Sequence, residues 1–205
     1  MPSLESLITF VTASTLLGLA PGPDNLFVLT QSALYGRKAG WLIVLGLCTG
    51  LIVHTSAVAL GVAAVLAAST FAFTVLKVLG AAYLLYLAWQ AFRAEPVSVA
   101  GHSASTLSGR RLYGRGILMN LTNPKVLVFF LAFLPQFAEP QQGAVAPQIL
   151  LLGVLFIGVT LIVFGGIALV AGWLGEWLAR SPHMQQWLNR LAGMVLAALA
   201  LNLVL

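Results

Sequence analysis

The sequence predicts an all-α membrane protein whose six transmembrane helices form two inverted three-helix repeats. Three observations support this fold class: the apolar composition, the alternating placement of basic residues, and two proline-interrupted apolar stretches. Hydrophobic residues make up 60% of the 205 residues and charged residues only 7%, whereas about 25% of the residues in a soluble domain are charged. Each spanning helix needs about 20 mainly apolar residues, so six helices with short loops leave no room for a sizeable aqueous domain.

The apolar stretches set the order of the predicted helices. We expect them at about 4–34, 40–68, 71–92, 115–137, 147–178 and 187–205. The third ends in aromatic side chains (Tyr83, Tyr86 and Trp89), which favour a membrane interface. The fifth is long enough that it must tilt or break, and Gly165-Gly166 is the expected place.

A polar segment at about 94–114, rich in Ser, Gly and Arg, divides the single domain 1–205 into two repeats. Repeat one covers about 1–93 and repeat two about 115–205. Because each repeat has an odd number of helices, the second enters the membrane in the opposite direction. This inverted arrangement is typical of many secondary transporters.

Basic residues predict the topology. Eight of the ten Lys and Arg residues lie in or beside alternate gaps between the apolar stretches: Arg37, Lys38, Arg93, Arg110, Arg111, Arg115, Arg180 and Arg190. Short loops rich in Lys and Arg stay cytoplasmic, so we expect both termini in the periplasm. The net charge of +5 is this topology signal and gives no reason to expect a nucleic-acid partner.

The first helix of each repeat carries an interruption. Pro21-Gly22-Pro23 breaks the first and Asn123-Pro124 the fourth, because proline removes a backbone donor and clashes with the preceding turn. Freed backbone groups must be satisfied within the protein or line a wet cavity. The two helices run in opposite directions, so their restarted N-termini are predicted to face each other near mid-membrane, with partial positive charge on both sides.

Residues at the two breaks are the predicted substrate-binding residues. Asp24 and Lys125 are costly at this depth unless paired or hydrated. Two interpretations follow: a structural ion pair, or ligands for opposite ends of a zwitterion, with Asp24 also able to carry a proton. Neutral hydrogen bonds to the ligand are expected from nearby amides and a hydroxyl. The full set is Pro21, Gly22, Pro23, Asp24, Asn25, Asn120, Thr122, Asn123, Pro124 and Lys125.

His54 is a second candidate for proton coupling, because histidine titrates near neutral pH. It follows Gly46 and Gly50 at spacings of four, and such small residues let another helix approach closely. The competing interpretation is a histidine that only hydrogen-bonds within a helix contact. The small-residue faces of the second and sixth helices fit either internal packing or a homo-oligomer.

Motifs for catalysis are missing from the sequence. It contains no phosphate-binding Gly-x-x-x-x-Gly-Lys-Ser/Thr loop, no His-Glu-x-x-His pair and no Gly-x-Ser-x-Gly elbow. The single Cys48 excludes an intramolecular disulfide and a cysteine metal cage. We therefore expect no enzyme activity, no direct use of ATP, no bound metal and no cofactor.

Two motifs resemble the signatures of the LysE/RhtB superfamily of bacterial amino-acid exporters. The first is Leu19 to Asn25 (LAPGPDN) followed by Gly36 to Gly40 (GRKAG); the second runs from Gly116 through NLTNPK to Phe137. The resemblance spans the chain and implies an inner-membrane carrier that exports amino acids and is coupled to the proton gradient. It also brings in the eight residues of Pro21–Asn25 and Asn123–Lys125 as substrate-pathway residues.

Among superfamily substrates, neutral amino acids such as threonine, homoserine or leucine fit best, because Asp24 is the single acid well inside the predicted bilayer. A dibasic substrate would want a second acid. The expected partners are therefore an amino acid, protons and the lipid bilayer. Two alternatives are a passive channel or metal-ion exporter on the same scaffold, and a non-transporting membrane protein.

Overall fold

The computed structural model describes residues 1–68, 70–94 and 108–204, and all regular structure in those ranges is helical. After residue 128 the chain continues through one wide (π) turn, Phe129–Phe133, and one 3-10 turn, Leu134–Phe137. A further 3-10 turn follows at Pro140–Gln142. The α-helices are α1 (Leu4–Leu19), α2 (Pro23–Tyr35), α3 (Arg37–Ala68), α4 (Thr70–Arg93), α5 (Gly109–Thr122), α6 (Pro124–Val128), α7 (Val145–Arg180) and α8 (Pro182–Val204).

Among the described residues, four helices are long and apolar enough to cross a membrane by themselves. Two further spans are bent pairs: α1 with α2, at 60°, and α5 with the segment Pro124–Phe137, at 51°. Counting each pair as one span gives six, with the first and fourth broken at the predicted prolines. The chain is therefore a polytopic all-α membrane protein, as predicted.

A cluster of phenylalanine rings forms part of the core beside the breaks. Phe129 and Phe133 lie in the wide turn after α6, with ring centroids 4.9 Å apart. The ring of Phe10 in α1 contacts the Phe129 ring, and the ring centroid of Phe156 in α7 lies 5.1 Å from that of Phe129. All four side chains are buried. The cluster fixes α7 against both broken spans, because rings packed at this distance leave little room to slide.

A close helix contact joins α3 to α5. Gly46 lies against the backbone of Tyr113 and Gly116, and Gly116 lies against the carbonyl of Ile43. A side chain at either glycine would collide with backbone, so only glycine allows this approach. The predicted close contact at Gly46 and Gly50 is confirmed, and it lies within the chain.

A hydrogen-bonded group, here called the Glu139 cluster, ties the start of α1 to the start of α7. It consists of Ser3, Ser6, Glu139, Gln142 and Gln148. The Glu139 carboxylate accepts from the Ser3 backbone N–H at 2.9 Å, from the Ser6 hydroxyl at 2.8 Å and from the Gln142 amide. The Gln148 side chain bonds both backbone groups of Glu139. These donors, the Ser3 N–H first, lower the pKa of Glu139 below its usual value.

Two predicted boundaries are wrong, and of the two outcomes expected for the fifth span, tilt or break, the break does not occur. The fourth span begins at Gly109 instead of about 115, so residues 109–114 are helical although they were assigned to the polar segment; residues 95–107 of that segment lie outside the described residues. The sixth span begins at Pro182 instead of about 187.

The third difference is the fifth span, which is continuous through Gly165-Gly166. Glycine keeps its backbone N–H, so the helical hydrogen bonds survive where a proline would remove them. Gly165 has a packing role instead: a side chain there would approach the Trp41 ring to 2.6 Å.

Candidate functional site at the broken helices

The restarted helices α2 and α6 meet at their first turns. Each begins with proline, whose missing N–H is not needed at the first helical position. The Asn123 side chain caps α6 by accepting from the Lys125 backbone N–H at 3.0 Å. Its amide nitrogen also donates to a carboxylate oxygen of Asp24, at 2.6 Å. Asn123 therefore joins the two helix starts, and the structure brings together the residues that the sequence places opposite each other.

Side chains from both breaks satisfy the carbonyls that the first break frees. Pro21 has no N–H for the Leu17 carbonyl, and Lys125 supplies the donor, with its Nζ 3.1 Å from that oxygen and 3.0 Å from the Ala20 oxygen. Asn25 donates to the Gly18 carbonyl at 2.7 Å. Because an ammonium group has three donors, one N–H of Lys125 stays available.

Asp24 and Lys125 do not form the direct ion pair that was one interpretation of the sequence. Each bonds other groups, the carboxylate to Asn123 and the ammonium to two backbone carbonyls. Both nevertheless lie on the wall of one narrow cavity. The two opposite charges are therefore held apart across a shared space by fixed hydrogen bonds.

The cavity lies between the two breaks and α7. Its free space is about 20 Å³, enough for about one water molecule and too little for an amino acid. An amino acid therefore needs the site to widen before it can bind. The polar lining residues are Asp24, Asn120, Lys125 and Thr160, and the others are Leu17, Gly18, Leu47, Val126, Phe156 and Phe164.

Two amide oxygens at the breaks have no hydrogen-bond partner. They are Oδ1 of Asn25 and Oδ1 of Asn120, both buried. Buried polar atoms are bonded in the great majority of cases, and leaving one unpaired costs about 1–3 kcal/mol. Asn120 is a lining residue of the cavity and Asn25 is not, and Oδ1 of Asn120 is packed against Gly50 of α3.

The remaining predicted residues are His54 on α3, Thr122 on α5 and the prolines and glycine of the two breaks. His54 contacts α5 with its Nε2 3.3 Å from the Asn120 carbonyl, which also accepts from the Asn123 backbone N–H at 3.2 Å. It is not among the cavity-lining residues. Thr122 is exposed and bonds the Leu118 carbonyl of its own helix at 2.8 Å, so it does not join the site. Among the remaining break residues, Pro21 and Gly22 are half-buried, while Pro23 and Pro124 are exposed.

Thr160, Phe156 and Phe164 were missed from the sequence, although all three line the cavity from α7. One sequence signal was present: Thr160 is the only residue with a side-chain oxygen or nitrogen between Gln148 and Trp173. A lone hydroxyl in such an apolar run indicates a polar contact. Nothing in the run itself, however, says which neighbouring helix that hydroxyl faces.

Comparisons with known proteins cover nearly the whole chain. The profile of the LysE type translocators matches residues 15–205. A homoserine/homoserine lactone efflux protein of Salmonella typhi is 38% identical over 191 residues, which cover 93% of this chain and 92% of that protein. An uncharacterized membrane protein of Vibrio cholerae is 34% identical over 186 residues, or 91% and 90% of the two chains. No solved structure matches the chain.

Proposed function

The chain belongs to the family of LysE type translocators, and from this premise we propose that it exports small neutral amino acids across the bacterial inner membrane in exchange for protons. The observation that carries the proposal is the narrow cavity between the two breaks. There, one carboxylate and one ammonium group line the same space.

The two charges of this cavity match a zwitterion. Asp24 accepts the α-ammonium group, since a carboxylate is the strongest hydrogen-bond acceptor for it. The free N–H of Lys125, together with the positive ends of α2 and α6, receives the α-carboxylate. The described lining holds one acid and one base, so both charges are used by the backbone groups of the substrate. A neutral side chain follows, and the homoserine efflux relative from Salmonella typhi supports this class.

Proton exchange follows from competition at Asp24. Its carboxylate binds either a proton or the ammonium group of the substrate, and it cannot hold both at once. In the transport cycle, Asp24 releases the amino acid on one side of the membrane and the proton on the other, and this exchange couples the two fluxes. The cavity must open to each side in turn, and the broken spans are the parts whose helical hydrogen bonds already end at mid-membrane.

His54 takes a packing role in this proposal, because its Nε2 faces a backbone carbonyl and its ring lies 5.5 Å from that of Phe130. We also propose that both termini lie in the periplasm, because the basic residues occur at alternate helix ends and short basic loops stay cytoplasmic.

An export assay tests the proposal. Cells that express the protein are loaded with labelled homoserine, threonine, leucine or lysine, and efflux is followed with and without a protonophore. We expect export of the neutral amino acids, loss of export with the protonophore, and retention of lysine. Asp24→Asn should abolish export, whereas Glu5→Gln, which changes an exposed acid to its amide, should leave it intact.

Each part of the proposal has a result that would contradict it. Preferential lysine export would contradict the neutral substrate class, and protonophore-resistant export would contradict proton exchange. Wild-type export by Asp24→Asn, with equal amounts in the membrane, would remove the site from the proposal.

A further inference from the structure

Thr160 differs from the other buried threonine of the described chain. It is 5% exposed, as is Thr55. The Thr55 hydroxyl donates to the Leu51 carbonyl of its own helix at 2.7 Å, the usual way for a buried helical threonine to satisfy its hydroxyl. The Thr160 hydroxyl makes no hydrogen bond within the described chain and lies on the cavity wall.

The surroundings of Thr160 are apolar on its own helix. Phe156 and Phe164 lie four residues before and after it, on the same face of α7, and both line the cavity. Asn120 of α5 also lines the cavity, but its unpaired Oδ1 is buried against Gly50 of α3. The cavity therefore has a second polar part besides the charged groups: the free hydroxyl of Thr160, flanked by aromatic rings.

We propose that Thr160 determines specificity by hydrogen-bonding a hydroxyl group at the end of the substrate's side chain. This inference rests on the proposed export function and adds the substrate's side-chain chemistry to it. A hydroxyl has one O–H donor and two acceptor lone pairs. The substrate hydroxyl therefore pairs with the Thr160 hydroxyl as donor or as acceptor, which satisfies that unpaired group.

An apolar side chain of the same shape leaves the Thr160 hydroxyl unpaired. Homoserine and norvaline differ only by a hydroxyl in place of a methyl group, and so do threonine and valine. A site that pairs a substrate hydroxyl rejects the analogue without one, because its own buried polar groups then stay unsatisfied. The Asp24 and Lys125 contacts are the same for both members of each pair.

The test is the ratio of homoserine to norvaline exported from cells loaded with both. Thr160→Val replaces the hydroxyl by a methyl group at nearly constant volume. We expect the ratio to fall about tenfold in this variant, the effect of one hydrogen bond. The control is Thr55→Val, which removes a hydroxyl already bonded to its own helix and should keep the wild-type ratio. Thr160→Ser keeps a hydroxyl and should keep the preference.

The possible failures are distinguishable. If wild type exports no amino acid, the proposed function fails. If export is intact but Thr160→Val keeps the wild-type ratio, the role of Thr160 is wrong. If Thr160→Ser loses the preference as fully as Thr160→Val, shape and not the hydroxyl sets the ratio, and the inference is also overturned. Should Thr160→Val fail to insert, Thr160→Ala tests the same loss of the hydroxyl.

Discussion

The Glu139 cluster and the group of polar side chains at the breaks, here called the mid-membrane cluster, use their hydrogen bonds in opposite ways. The mid-membrane cluster consists of Asp24, Asn25, Asn120, Asn123 and Lys125. In the Glu139 cluster, both carboxylate oxygens of Glu139 and both the oxygen and the nitrogen of the Gln148 amide make hydrogen bonds. In the mid-membrane cluster, two amide oxygens and one ammonium N–H are left over. All four unpaired buried side-chain atoms found in the described chain belong to the broken spans, in Ser14, Asn25, Gln31 and Asn120.

Under the proposed function, this difference separates structural polar groups from groups kept for a ligand. A polar side chain that only joins helices gains most when each of its atoms is paired. A binding site must keep some atoms unpaired until its ligand arrives, and the fold tolerates the cost. The mid-membrane cluster does both. Lys125 pairs with two backbone carbonyls and Asn123 pairs with Asp24, while Asn25 and Asn120 keep unpaired oxygens.

Lys125→Met tests the structural half of this account and carries the largest expected effect. The variant leaves the Leu17 and Ala20 carbonyls without a donor inside the membrane, so we expect the free energy of unfolding to fall by about 3 kcal/mol and export to stop. Thermal unfolding in detergent and the export assay measure the two effects. Lys77→Met, at a lysine outside both clusters, is the control and should change neither. Full stability in Lys125→Met would show that the carbonyls find other partners and would contradict the dual role.

Glu139→Gln probes the paired cluster and should have a smaller effect, on stability alone. The lowered pKa of Glu139 means that its carboxylate stabilises the fold above the usual value of 4.5, and that this contribution disappears as the pH falls through the lower folded value. Wild type should therefore lose thermal stability below about pH 4.5. The variant should be less stable at neutral pH and should show a weaker acid dependence.

Unfolding temperatures between about pH 3 and pH 7 measure this effect, and export at neutral pH should stay within about twofold of wild type. Loss of export in a stable Glu139→Gln would place the Glu139 cluster in the transport cycle and erase the proposed distinction.

Local chemistry explains what the sequence could predict. Prolines and charged residues affect the structure at their own positions in the chain. The two breaks, the six spans and the meeting of Asp24, Asn123 and Lys125 therefore follow from where these residues lie in the sequence. The start of α5 at Gly109 was missed because a segment rich in Ser, Gly and Arg is typical of loops, although arginine is itself a good helix former.

Packing explains what the sequence could not predict. Thr160 reaches the cavity because the phenylalanine cluster fixes one face of α7 against both breaks, and no pattern within α7 specifies its partner. The same holds for Thr122, which shares the fourth-helix motif with Asn123 but lies on the exposed face. Likewise, the bonds from Lys125 to the first span join residues 105 and 108 positions apart, a pairing that only the folded chain reveals. The relation of the two halves as inverted repeats stays a prediction.

Equilibrium binding of labelled homoserine to the purified protein tests the central claim most directly. The account predicts saturable binding of one homoserine per chain by wild type and by Glu139→Gln, and none by Asp24→Asn, although all three unfold cooperatively. Binding of homoserine to Asp24→Asn with wild-type affinity would contradict the claim that the mid-membrane cluster is the substrate site.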